Sequence, residues 1–221
     1  MTPLITGANR GIGLRLLQDY AAEGLSPIGT TRADDAPPVA GARWQALDVT
    51  DLKQQKALAG KLAGQPVDLL ICNAGQYLDK HQQLETGYPP AMWAQMFAAN
   101  VTGVFLTIQA LLPNLGLSSA PRVAIIASTM GSQDRAPGGS YIYRASKAAA
   151  INLGRNLAVD LRPMGIAVGI YHPGWVRTDM GGEGAHIDVE EASAGLRTRF
   201  AALTLDTTGC FETWDGRPYP L

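Results

Sequence analysis

Residues 4–20 constrain the fold more than any other stretch of this chain. Leu4-Ile5-Thr6 is a short apolar run, Gly7-Ala8-Asn9-Arg10-Gly11-Ile12-Gly13 is a glycine-rich turn, and Leu14-Arg15-Leu16-Leu17-Gln18-Asp19-Tyr20 has the apolar spacing of an amphipathic helix. A strand that runs through glycines directly into a helix offers backbone N–H groups at the helix N-terminus, and glycine lets the main chain come close to a phosphate. The spacing Gly7-x-x-x-Gly11-x-Gly13 differs from the common G-x-G-x-x-G pattern. Pro3 cannot donate to a ladder, so it belongs at the first position of this strand, where the lost bond matters least.

The same alternation continues. Apolar strand patterns at residues 26–31, 42–47, 67–72, 123–127, 165–171 and 208–213 are separated by helical runs, among them a helix capped by Thr50 or Asp51, a long one over 91–112 and a last one over 189–203. Strand–helix alternation predicts a single-domain α/β fold: a doubly wound parallel sheet (Rossmann fold) with helices on both faces and a ligand crevice at the carboxyl ends of the strands. The chain has 221 residues, 46% hydrophobic and 17% charged, enough for one sizeable core and too few for a second domain.

Composition narrows the partners. A formal net charge of −1 and a pI of about 6.3 give no basic footprint for nucleic acid or an anionic membrane, so a small molecule is the expected partner. Cys72 and Cys210 have no metal-ligand spacing, and His81, His172 and His186 are isolated, so neither a disulfide framework nor a metal site is expected. Met1-Thr2-Pro3-Leu4-Ile5 enters the strand pattern at once, with no basic segment ahead of an apolar core, and the expected location is cytoplasmic. The apolar stretch 101–112 is interrupted by Thr102, Gly103, Thr107 and Gln109 and stopped by Pro113, short of a membrane span.

The chemistry gathers between Ser128 and Lys147. Tyr143 and Lys147 stand four residues apart in Tyr-Arg-Ala-Ser-Lys, which puts both on one helical face. A phenol titrates near 10 and exchanges protons at neutral pH only if its anion is stabilised, which a nearby ammonium does. The strand pattern 123–127 ends on Ser128, whose hydroxyl can hold a polarised oxygen beside the phenol. A Tyr/Lys/Ser set suits proton transfer to or from a carbonyl or an alcohol. Tyr141 competes as the donor, but only Tyr143 has a lysine one helical turn on. Elsewhere, residues 67–72 close on Asn73-Ala74-Gly75, a short amide and a glycine able to floor a flat ring system. Asn100 lies among apolar residues of the long helix, as a satisfied core amide or a functional one. At the end of the second strand, where a carboxylate would accept from a ribose 2′-OH, the chain has Thr31-Arg32; with Arg10 in the glycine loop, two guanidinium forks suit a 2′-phosphate. That favours NADP(H) over NAD(H), against the nearby Asp34-Asp35 and the alternative that Arg32 is a solvated loop residue.

Thr6-Gly7-x-x-x-Gly11-x-Gly13, Asn73-Ala74-Gly75 and Tyr143-x-x-x-Lys147 together resemble the short-chain dehydrogenase/reductase family, over nearly the whole chain. Tyr-Arg-Ala-Ser-Lys through His-Pro-Gly-Trp-Val-Arg-Thr-Asp-Met is most similar to the C-factor/sniffer-type carbonyl reductases of that family. Cys72 departs from the family, where a second asparagine is common. The resemblance implies an NADP(H)-dependent oxidoreductase that interconverts a carbonyl and an alcohol, with Asn100, Ser128, Tyr143 and Lys147 catalytic. It implies cofactor contacts from Gly7, Asn9, Arg10, Gly11, Ile12 and Gly13, from Asp48 and Val49 at the adenine, from Asn73, Ala74 and Gly75, and from Pro173, Gly174, Val176 and Thr178 at the nicotinamide carboxamide. Asp48 read on its own is equally a turn residue. Asn100 would hold a water joining Lys147 to solvent, residues 175–205 would form a substrate lid, and the Asn100 and Tyr143 helices would pair subunits into a homodimer or homotetramer. A dinucleotide-binding signalling protein of the C-factor kind, with incidental turnover, is the alternative; the complete Ser/Tyr/Lys/Asn set argues against it. A sugar-nucleotide epimerase of related fold would need a substrate domain for which the chain is too short.

Overall fold

The computed structural model describes residues 1–32, 36–134 and 136–221; Asp34 and Asp35 lie outside them. Strand β1 (Pro3–Ile5) is followed by α1 (Gly11–Ala22), β2 (Ile28–Thr31), β3 (Arg43–Ala46), α2 (Leu52–Lys61), β4 (Leu69–Cys72), α3 (Pro90–Phe97), α4 (Gly103–Leu115), β5 (Arg122–Ile126), α5 (Tyr141–Leu161), β6 (Ala167–His172), α6 (Val189–Ala202) and β7 (Phe211–Thr213). The strands form one parallel sheet in the order β3-β2-β1-β4-β5-β6-β7. Pro3 is the first residue of β1, as its missing N–H requires.

Successive strand side chains point to opposite faces, and the sheet uses both. Leu4, Leu70, Val123 and Val168 join Leu58, Ile108, Leu111 and Leu157 in one core. Their neighbours Ile5, Ile71 and Ala124 join Leu16, Leu17, Leu196 and Phe200 in the other. The strand order reverses direction between β1 and β4, so the crevice opens at their carboxyl ends, where Gly7 and Asn73 lie.

The long helix differs from the reading over 91–112. It runs Pro90–Leu115 with a π-helical turn (Ala98–Thr102) between α3 and α4, and it passes through Pro113 instead of stopping there. Tertiary contacts outweigh the proline: Leu111 and Leu115 are fully buried, and Asn114 donates through Nδ2 to the Leu62 carbonyl at 2.6 Å and the Gln65 carbonyl at 2.9 Å. Pro90–Leu115 is long and apolar enough to cross a membrane by length and composition, but Val104, Ile108, Leu111 and Leu115 bury their apolar surface in the sheet's core. The last strand is also shorter than residues 208–213, because Gly209 turns the chain with φ +86° before Phe211 joins β6. Helix α6 docks on α1 through Arg15–Glu190 at 2.7 Å, Arg197–Asp19 at 3.5 Å and an Arg197–Glu23 contact. What remains over the carboxyl ends of the strands is the loop from Val176 to Ile187, pinned at its base by a bridge between those two residues.

Candidate active site

Threonine and asparagine bonds hold the glycine turn in shape. Thr6 Oγ1 accepts from the backbone N–H of Asn73 and of Ala74, both at 3.0 Å, and Asn73 Nδ2 donates to the carbonyls of Thr6 and Gly7, also at 3.0 Å. The turn after β1 is thereby stapled to the turn after β4. Gly7 and Gly11 sit at φ +63° and +54°, where a Cβ is strained. At Gly13 a Cβ would stand 2.5 Å from Asn73 Nδ2 and 2.5 Å from the Gly7 carbonyl. Arg10 is the N-cap of α1 without a side-chain capping bond, and the first turn holds no acidic residue, so the donors of that turn are left for an anion. Such a cradle fits a dinucleotide pyrophosphate.

The ribose end is arranged differently from the sequence reading. Arg10 Nη1 is paired with Asp179 Oδ2 at 2.7 Å, so its fork does not join Arg32. Both partners are well exposed, and a pair of that kind is worth at most about 1 kcal/mol. Arg32 follows β2 and is exposed. Asp48 is a turn residue, Oδ1 accepting from the Thr50 N–H at 2.9 Å and the Thr50 hydroxyl at 2.7 Å. Val49 is buried behind it, and a Cβ on Gly103 would meet its side chain at 2.8 Å.

The phenol is held from several sides. Tyr143 is buried, has the Ser128 side chain beside its phenol, and lies under the Tyr77 ring with centroids 4.1 Å apart and planes 20° from parallel. Lys147 Nζ is 5.7 Å from the Tyr143 ring centroid and donates to the Ile126 carbonyl at 2.9 Å. Burial pushes the phenol above its ordinary value; the Ser128 bond pulls the other way, and Tyr77 and Asp79 add to the rise. Burial also lowers the Lys147 amine, to about 8. Tyr141, the competing phenol, is 39% exposed and meets Tyr88 edge-on at 5.1 Å.

Asn100 sits in the π turn, fully buried, with three hydrogen bonds from its amide to protein. Its Oδ1 accepts from the Gln76 N–H at 2.8 Å, and its Nδ2 donates to the Gln76 carbonyl and the Ser146 hydroxyl, both at 2.9 Å. The side chain therefore fixes loop and helix and makes no bond to Lys147. A Cβ on Gly75 would stand 3.1 Å from Asn100 Oδ1 and 3.6 Å from Lys147 Nζ, so the glycine floors the space beside the lysine. At Gly131 a Cβ would strike the Ala148 nitrogen at 2.6 Å; its absence lets the short turn after Ser128 lie against α5.

Beyond β6, Gly174 turns the chain at φ +89° and Val176 is buried. Thr178 Oγ1 accepts from the Gly181 N–H at 3.1 Å, and its Cγ2 would lie 3.3 Å from a Cβ on Gly11, so this segment rests on the glycine turn. Thr178 is thus brought against the glycine turn, in the same segment after β6 that carries Pro173, Gly174 and Val176.

Sequence reasoning missed three members. Ser146 lies inside Tyr-Arg-Ala-Ser-Lys and donates to the Tyr143 carbonyl at 2.8 Å, a link that the spacing alone could have suggested. Thr6 was visible only as the residue before the first glycine. Asp79, four residues after Gly75, has no sequence signal at all, yet it is fully buried and accepts from the backbone of α5.

Comparison with known proteins agrees with this geometry. The short chain dehydrogenase family model matches residues 2–186. The C-signal protein of Myxococcus xanthus is 36% identical over 166 residues, 75% of this chain and 99% of that protein. An NADPH-bound carbonyl reductase from chicken fatty liver superposes with a TM-score of 0.89 at 30% identity, covering 100% of this chain and 98% of the other. The carbonyl reductase Sniffer of D. melanogaster gives a TM-score of 0.88 at 27% identity, over 100% and 99%. With a family model spanning most of its length and a parallel sheet that carries the serine, tyrosine and lysine at one crevice, the chain belongs to the short-chain dehydrogenase family.

Proposed function

We propose that this protein is an NADP(H)-dependent carbonyl reductase, acting reversibly on a small carbonyl or alcohol. The observation that carries the reading is the buried Tyr143 phenol beside the Ser128 side chain, with Lys147 on the next helical turn and a glycine cradle at the neighbouring strand end. The bound dinucleotide would supply the hydride. The protein supplies position and protons.

Tyr143 gives its phenolic proton to the carbonyl oxygen as charge builds there, and takes it back in the reverse direction. Ser128 donates to the same oxygen and steadies the developing alkoxide. Lys147 stabilises the phenolate and hydrogen-bonds the nicotinamide ribose. Gly7, Asn9, Arg10, Gly11, Ile12 and Gly13 would hold the pyrophosphate with backbone donors, Asp48 and Val49 would take the adenine, and Asn73, Ala74 and Gly75 would floor the ring. Pro173, Gly174, Val176 and Thr178 hold the carboxamide. Asn100 fixes the Gln76 loop against α5 through its side chain and would hold the water that joins Lys147 to bulk solvent. Arg32, with no carboxylate among the described residues at the end of β2, favours the 2′-phosphate of NADP(H); Arg10 joins it by giving up its exposed pair with Asp179. The reduced, half-buried or buried thiols suit a cytoplasmic setting.

The test is a panel of aldehydes, ketones and quinones followed at the NADPH absorbance band and repeated with NADH. Turnover with NADPH well above NADH is expected. Tyr143→Phe should keep NADPH binding and lose at least about a hundredfold in kcat, the scale of a lost general acid. Undiminished turnover in Tyr143→Phe removes the phenol from the mechanism, and tight NADPH binding with no turnover across the panel turns the reading toward a dinucleotide-binding signalling protein.

A further inference from the structure

We propose that Asp79 is a positioning residue that sets the place and the proton affinity of Tyr143 by capping the helix that carries it. The inference rests on the role given to Tyr143 above.

The N-terminus of α5 lacks the usual local cap. Ser140 occupies the N-cap position in a left-handed conformation, φ 48°, and makes no capping bond; its hydroxyl is turned to the Tyr77 hydroxyl at 2.6 Å. A helix start buried in protein still needs acceptors for its first N–H groups. They come from 63 residues away: Asp79 Oδ2 accepts from the Ile142 N–H at 2.8 Å and from the Tyr143 N–H at 3.2 Å. Asp79 is fully buried, and its second oxygen, Oδ1, has no hydrogen-bond partner on the protein. A carboxylate in that position faces the positive end of the helix dipole and two N–H donors.

The loop that carries Asp79 grips the site at other points. Tyr77 stacks on the Tyr143 ring. Lys80 Nζ reaches the Met180 carbonyl in the loop over the crevice, at 3.5 Å. Among the described residues, the non-glycine positions with left-handed backbone are Ser140 and Tyr88, and Tyr88 packs on Tyr141 at the same helix end. Local strain collected around one helix terminus marks a place that is held against its own preference.

The fixed negative charge has a definite electrostatic consequence. Among the described residues around Tyr143, the titratable groups are Lys147 on its own helix and Tyr77 and Asp79 on the loop after β4; β5 leads into the Ser128 hydroxyl, and the π turn presents the neutral amide of Asn100. Asp79 opposes the helix dipole at the phenol, keeping Tyr143 protonated and ready to donate. Removing the charge lowers the proton affinity of the phenol.

Asp79→Asn separates charge from clamp, because the amide oxygen still accepts from Ile142 and Tyr143. In NADPH-driven reduction of the carbonyl turned over fastest in the panel, the fall in kcat with rising pH should move down by about one pH unit in Asp79→Asn, the effect of one partly screened charge. Melting temperature and amide exchange at Ile142 and Tyr143 should stay near wild type. Asp79→Ala should also lose that amide protection, with kcat down tenfold or more. An Asp79→Asn profile superposable on wild type overturns the electrostatic role, and unchanged protection and kcat in Asp79→Ala overturn the clamp. Should Asp79→Ala fail to fold, the Asp79→Asn profile still decides. Failure of the underlying mechanism is a separate result: in that case Tyr143→Phe turns over normally.

Discussion

Lys147 is the residue at which chemistry and stability pull apart. The spacing Tyr143-x-x-x-Lys147 leads one to expect an ammonium that lowers the phenol's pKa, and the amine is indeed 5.7 Å from the ring centroid. Burial works against both charges, raising the phenol and lowering the amine from 10.5 to about 8. For a lysine depressed in the folded state, the cost is present in full below pH 8 and is relieved as pH rises toward 10.5. At neutral pH it is on the order of 3 kcal/mol. Lys147→Met should therefore raise the melting temperature at pH 7 while abolishing turnover, with the stability gain shrinking between pH 8 and 10. Thermal scans across that range check the sign; a Lys147→Met protein less stable than wild type at pH 7 would show that the bond to the Ile126 carbonyl outweighs desolvation.

At the scale of elements, glycine means different things in different helices. Alanine is the better helix former by about 0.5–1 kcal/mol when nothing else intervenes. Gly60 in α2 is such a place, exposed with nothing within 4 Å of a would-be Cβ, and Gly60→Ala should stabilise by roughly that amount. Gly13 in α1 is the opposite: a Cβ there would stand 2.5 Å from Asn73 Nδ2 and from the Gly7 carbonyl, inside the staple joining β1 to β4. Gly13→Ala should lower the melting temperature and weaken NADPH binding at least tenfold, read by calorimetry and by fluorescence of the bound nucleotide. The glycine pattern was legible in the sequence because a strand–turn–helix leaves few other residues able to serve. The π turn at Ala98–Thr102 was not, since 91–112 carries the period of an ordinary amphipathic helix and the bonds of Asn100 to Gln76 and Ser146 lie between distant segments.

For the whole molecule, the sheet and its two cores leave large apolar side chains outside. Phe105 on α4 is 39% exposed and Val159 on α5 is 71% exposed, on the two helices read from sequence as subunit-pairing surfaces. Burying such surface between copies is favourable by about 25 cal/mol per Å² of apolar area. Light scattering should give two or four times the chain mass of 23.4 kDa, and Phe105→Glu should move the distribution toward monomer. A monodisperse monomer at micromolar concentration would rule out self-association through these helices.

Strand–helix alternation, the glycine turn, Asn73-Ala74-Gly75 and Tyr143-x-x-x-Lys147 were readable from the chain, because each is set by local periodicity or by residue types that few other backbones need. The sequence alone determined a parallel sheet with its crevice at the strand ends and named the residues gathered there. Tertiary structure alone decided which bonds those residues make. Arg10 turns to Asp179, Asn100 spends its amide on Gln76 and Ser146, Pro113 stays inside its helix, and Asp79 caps α5 from across the crevice. These are contacts between segments far apart in the chain, and a buried polar group takes the partner that packing brings within reach, which no local pattern encodes.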